Sequence, residues 1–181
     1  MIRPRILLRL NKLMLKIDTT KFEILTQLYT EELTYPFWER GISKNLYKIM
    51  TNGEIILIGN YCVEGEYKGK LGAAVFFQRE NLKEVIQAIE DWLDDEKSTG
   101  KEHIAVYANG DEFGVSFGFP DRFDVRPVLM LTTNIQSEIN GSEALSWNLV
   151  TDIDTGPKLI AELSKVEALL NQTQSQRLVK R

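Results

Sequence analysis

Residues 44–78 read KNLYKIMTNGEIILIGNYCVEGEYKGKLGAAVFFQ, and the fold turns on whether they make three strands or begin with a helix. Asn52-Gly53 separates two apolar runs, and both residues tolerate the positive φ of a tight hairpin turn. The polar EGEYKG then joins the second run to a third. The spacing therefore predicts strands over 44–51, 54–64 and 70–78. Leu46, Ile49 and Met50 also fit a helical period, so a helix over 43–51 closed by Gly53 is the competing reading.

Upstream, TKFEILTQLYTEELT (20–34) predicts a helix. Thr20 and Glu23 have capping-box spacing, and Phe22, Leu25, Leu28, Tyr29 and Leu33 make an apolar stripe. YPFWERG ends it, because Pro36 cannot continue a helix. Downstream, ENLKEVIQAIEDWLDDEKSTG predicts a helix from Asn81 to Gly100, with Leu82, Val85, Ile86, Ile89 and Leu93 on one face. A second hairpin follows, with strands near 103–108 and 111–119 around Asn109-Gly110. A strand is expected near 124–133, with Pro127 at an edge or bulge. Residues 136–146 read as polar loop, SWNLVTDI as a short strand, and 157–171 as a last helix.

The sum is an α+β fold: an antiparallel sheet of about six strands in two hairpin units, three helices packed on it, and an N-terminal amphipathic helix. One domain spans 18–171, after a basic segment 1–17 and before a polar tail 172–181. In the N-terminal segment Ile6, Leu7, Leu10, Leu13 and Met14 fall on one helical face and Arg5, Arg9, Lys12 and Lys16 on the other. Such a helix can pack on an acidic body or partner. Contact of residues 5–16 with an anionic membrane surface is a further alternative, and a start at Met14 is another.

The chain of 181 residues carries a net charge of −4. Arg3, Arg5, Arg9, Lys12 and Lys16 meet no carboxylate before Asp18, so residues 18–181 alone carry −9. A body this acidic repels phosphate backbones, so no nucleic acid is expected on the core. Cys62 is the sole cysteine and His103 the sole histidine, which excludes an intrachain disulfide and a Cys/His zinc site. The lone cysteine fits a reducing, cytoplasmic location.

Glu66-Tyr67-Lys68, with Glu54 upstream, has the residue types of a divalent-metal nuclease, but the triplet falls at a hairpin tip where solvated turn residues are expected. The stretch KGKLGAA (68–74), followed by a helix and then HIAVYAN, resembles the acetyl-CoA-binding segment of GNAT acetyltransferases. There a glycine-rich loop at a helix N-terminus presents amides to a pyrophosphate. The resemblance implies an acyltransferase using acetyl-CoA. Gly69 and Gly72 depart from the family's spacing, and AAVFFQ intervenes before the helix. The element order is also similar to that of the small acidic dimers of the type III secretion chaperone class.

With no catalytic constellation in view, the residues point to a small acidic cytosolic protein-binding module of adaptor, chaperone-like, immunity or inhibitor type, without cofactor or metal. The other readings are the acyltransferase and a structural subunit of a larger assembly. The partner is another protein, with a homo-oligomer as an alternative. Candidate contact residues are Tyr35, Phe37, Trp38 and Arg40 in the aromatic loop, Asp94 and Asp95 at a helix end, and Phe123 in an aromatic turn.

Overall fold

The computed structural model describes residues 14–33, 41–99, 105–108, 113–118 and 128–180. The stretch 44–78 resolves as three strands, β3 (Ile42–Thr51), β4 (Ile55–Cys62) and β5 (Leu71–Gln78). The helical alternative for 43–51 is thereby excluded. Gly53 has φ 99°, but Asn52 does not share its positive φ. The turn is instead held by the Asn52 side chain, whose Oδ1 accepts from the amides of Glu54 (3.0 Å) and Ile55 (2.8 Å).

The expected helix over 20–34 is corrected. A short 3-10 turn over Thr19–Lys21, capped by the Asp18 carboxylate, precedes an eleven-residue strand, β2 (Glu23–Leu33). β2, β3, β4 and β5 form a four-stranded antiparallel meander in that order. The helical stripe fails because the alternation of β2 is real but polar. Thr26, Leu28, Thr30 and Glu32 face inward, opposite Ile49, Tyr47, Asn45 and Ser43.

The helix α1 (Leu82–Thr99) follows a 3-10 turn, with Leu82, Val85, Ile86, Ile89 and Leu93 buried as their spacing predicts. β6 (Ala105–Ala108), β7 (Phe113–Gly118), β8 (Val128–Thr133) and β11 (Trp147–Asp152) build a second four-stranded antiparallel sheet, and α2 (Thr155–Val179) closes the chain. Asn109, Gly110 and Pro127 lie outside the described residues. Helix α2 runs on through the segment expected as a polar tail. Residues 1–13 also lie outside the described residues. Leu15–Ile17, expected as the end of a helix, are instead the strand β1.

The segment 136–146 is not a loop. β9 (Ser137–Ile139) and β10 (Ser142–Ala144) form a hairpin, and β1 joins β9 in parallel to make a third sheet of three strands. Asn140 (φ 49°) and Gly141 (φ 87°) both take the positive φ that the primed hairpin turn demands. Asn140 also ties the hairpin to the start of the chain: its N–H donates to the Ile17 carbonyl and its Oδ1 accepts from the Thr19 amide.

The protein is therefore α+β with antiparallel sheets of four strands, but the single six-stranded sheet with three helices is corrected to two such sheets and a mixed sheet of three strands, with two helices among the described residues. The order of four strands then one helix occurs twice, with β9 and β10 inserted in the second unit. Each helix leans on the other unit: α1 lies against β6 and β7, and α2 against β2 as well as β11. Tyr47, Ile49, Ile56, Ile58, Val75 and Phe77 on the inner face of the first sheet meet both helices and Leu129, Leu131 and Leu149 in one core.

Candidate functional site

The outer face of the first sheet is built from two neighbouring rows. Met50, Leu57 and Phe76 lie side by side across β3, β4 and β5, and Ile17 and Ile139 of the third sheet cover them. The run Ile55–Ile58 is apolar at every position because this strand is buried on both faces. The next outward row, beyond Lys48, Gly59 and Ala74, is Tyr29, Leu46, Tyr61 and Leu71, paired in turn across β2, β3, β4 and β5. Tyr61 and Leu71 pack against the rim of the covered row. Tyr29 is 69% exposed, and Ile42, further along the same face, is 68% exposed.

Gly59 shapes this row. A Cβ there would stand 2.7 Å from Leu71 Cδ1 and 2.9 Å from Tyr61 Cε2, so both side chains fold down over the strand where it has no side chain. Lys48 Nζ lies over the Tyr61 ring, 4.3 Å from its centroid, in a cation–π contact. Burial pushes the Tyr61 phenol above its ordinary value. At the far end Lys44 and Glu64 pair at 2.7 Å. Their bond lowers the Glu64 pKa and raises that of Lys44. The surface is thus an apolar row flanked by charges of both signs, Lys44, Lys48, Glu31 and Glu64, a composition suited to a protein contact.

Behind this face lies a buried carboxylate that the sequence reading passed over. Glu32 is 5% exposed. Its Oε2 accepts from Thr30 Oγ1 (2.8 Å), Asn45 Nδ2 (2.7 Å) and Tyr47 OH (2.5 Å). Its Oε1 accepts from the Asp152 amide (2.7 Å) and Thr155 Oγ1 (3.1 Å). Burial and the Glu32 charge push the Tyr47 phenol far above its ordinary value of 10, so it stays a neutral donor. Five donors from β2, β3, β11 and α2 converge on one acceptor, which fastens the two units together. The signal for it was a Glu at an inward position of a strand.

A cavity of about 840 Å³ lies between the 53–55 turn, residues 79–83 and the middle of α2. Its charged residues are Glu54, Arg79, Glu80, Lys83 and Glu167. The signs alternate, and among the described residues no group of His, Cys, Asp or Glu could hold a metal ion.

Of the sequence candidates, Tyr35, Phe37, Trp38, Arg40 and Phe123 lie outside the described residues, as does His103. Asp94 is exposed on α1, and the side chain of Asp95 is outside the described residues. Glu54 precedes β4 and Glu66 and Lys68 follow it, so a strand of about 25 Å separates them. Gly69 stands in the turn before β5, and Gly72 lies within β5. No helix among the described residues is long and apolar enough to cross a membrane.

The chain matches no family model and no curated protein. Among solved structures, the "Crystal structures of trypanosoma bruciei MRP1/MRP2" align over 96% of this chain and 97% of that one, with 12% identity and a TM-score of 0.40. A likeness this loose bears on neither fold nor function.

Proposed function

We propose that the chain is a small, non-enzymatic protein-binding module that docks a partner on the outer face of its first sheet. One observation carries the reading: Tyr29, Leu46, Tyr61 and Leu71 form an apolar row across four strands, and the third sheet covers only the row beside it. An apolar strip flanked by both charge signs suits a protein partner. Tyr35, Phe37, Trp38 and Arg40, which stand in the sequence between β2 and β3, belong to the same proposal as contact residues. Cytoplasmic location and the adaptor or chaperone-like role belong to the same proposal.

The test is site-specific photocrosslinking. A photoreactive residue at Ile42 is expected to capture one protein that a probe at Leu178, exposed at the end of α2, does not capture. Leu46→Asp is expected to abolish that capture. Equal capture at both sites overturns the reading. So does a nuclease-sensitive adduct: Lys44 and Lys48 share the face with Tyr29 and Tyr61, and a basic aromatic sheet can stack single-stranded bases.

A further inference from the structure

The two edge strands of the first sheet end differently. On β5, the Thr133 hydroxyl accepts from the Phe76 amide (3.0 Å) and donates to the Phe76 carbonyl (2.7 Å), with β8 and β11 alongside. On β2, among the described residues, no main-chain group of Thr26–Glu32 is engaged on the side away from β3. Open strand edges are templates for another strand, and native proteins blunt them with lysines, prolines or covering elements. The stretch Thr26–Glu32 has no lysine and no proline, and α2, which lies against β2, meets it on the inner face, where the Thr26 hydroxyl donates to Glu162. The strand's one interruption, the bulge between Ile24 and Thr26, lies at one end and leaves seven regular residues.

We infer that this edge is the seat of a second copy of the chain: β2 pairs antiparallel with β2 of its twin, Tyr29 opposite Tyr29, and the two four-stranded sheets become one of eight. Only registers that set outer-face residues against outer-face residues keep both sheets coherent. With the two-fold axis at Tyr29, the Gln27 amide meets the Glu31 carboxylate on each side of the axis, Leu28 meets Thr30, and no charge faces its like. An axis at Thr30 would set Leu28 against the Glu32 position. An axis at Leu28 would set Glu31 against the bulged Leu25. The Tyr29 register also continues the cross-strand pattern already present. Gln27 is paired with Lys48 and Glu31 with Lys44, so the joined row runs Lys48, Gln27, then Glu31 and Lys44 of the twin. The apolar row that stops at Tyr29 runs through the axis into its own image. A closed two-fold contact of this kind consumes the open edge instead of propagating it.

The inference shares Tyr29 with the partner-docking reading but stands on the edge of the strand, not on its face. Sedimentation velocity over a concentration series is expected to show the mass rising from the 20.8 kDa of one chain to twice that value. Tyr29→Lys, at an exposed position, is expected to keep its fold by circular dichroism and remain at one-chain mass throughout. In a Cys62→Ser background, Tyr29→Cys is expected to give a disulfide-linked double-mass species under mild oxidation, while Tyr67→Cys at the exposed hairpin gives none. Wild-type protein at one-chain mass at every concentration overturns the inference. So does a Tyr29→Lys variant that assembles like wild type, or cross-linking as ready at Tyr67 as at Tyr29. A monomer that still captures a partner at Ile42 sinks the pairing alone; a dimer that captures none sinks only the docking reading.

Discussion

Two rows of the same sheet, carried by the same strands, meet different fates. Met50, Leu57 and Phe76 are sealed beneath Ile17 and Ile139, whereas Tyr29, Leu46, Tyr61 and Leu71 run from the rim of that cover into solvent. Side-chain chemistry does not separate them, since both rows are large and apolar. The reach of the third sheet does. β1, β9 and β10 are three residues each, enough to roof one row and no more. Hydrophobicity in this sheet therefore has two meanings, stability in the covered row and, in the proposed reading, contact in the open one.

The strongest break of that contrast is a matched pair of truncations. Leu57→Ala removes a fully buried side chain from the covered row and is expected to cost between about 2 and 5 kcal/mol in urea unfolding. Leu46→Ala, in the open row, is expected to cost less than about 1.5 kcal/mol while abolishing capture at Ile42. Comparable losses of stability would mean that the open row is part of the core.

Glu32 tests the inner face of the same strands. Glu32→Gln keeps the shape but replaces one acceptor oxygen with a donor, setting N–H against neighbours that themselves donate. The expected loss is about 1–3 kcal/mol, with the fold retained by circular dichroism. An unchanged unfolding midpoint would show that the network adds nothing beyond its packing.

The same residue explains what was and was not legible. The second strand was expected to be a helix because three of its inward positions are Thr26, Thr30 and Glu32, which hide the alternation that Ile56, Ile58, Val75 and Phe77 display openly. Thr30 and Glu32 belong to the buried carboxylate network and Thr26 donates to Glu162, and those pairings exist only once β3, β11 and α2 have arrived. The hairpin at Asn140-Gly141 carries the same dipeptide as Asn52-Gly53 but is flanked by Ser, Glu and Ala, so no apolar run announced it. The open row draws one residue from each of four strands; register brings them together, and register is not written in any one of them. The helix α1, whose buried positions repeat locally at helical spacing, was readable for the opposite reason.

The smallest effect separates two carboxylates placed on the two sides of this contrast. Glu64 sits at the open end of the outer face, two-thirds exposed, and its pair with Lys44 is solvated. Glu162 sits where α2 leans on β2, mostly covered, accepting from Lys165 at 2.7 Å and from the Thr26 hydroxyl. Those bonds, that of Lys165 first, hold its carboxyl below the ordinary value of 4.5. A carboxylate with a lowered pKa in the folded state stabilises above its unfolded value and loses that contribution as the pH falls through the folded one. The melting temperature is therefore expected to stay level down to about pH 5 and to decline below it. Glu162→Gln is expected to flatten that acid limb by a shift worth less than about 1 kcal/mol, since part of the bond remains in solvent. Glu64→Gln is expected to leave the limb as it is. An acid limb altered equally by both substitutions would show that the helix draws no more from its seat on β2 than the open face draws from a surface pair.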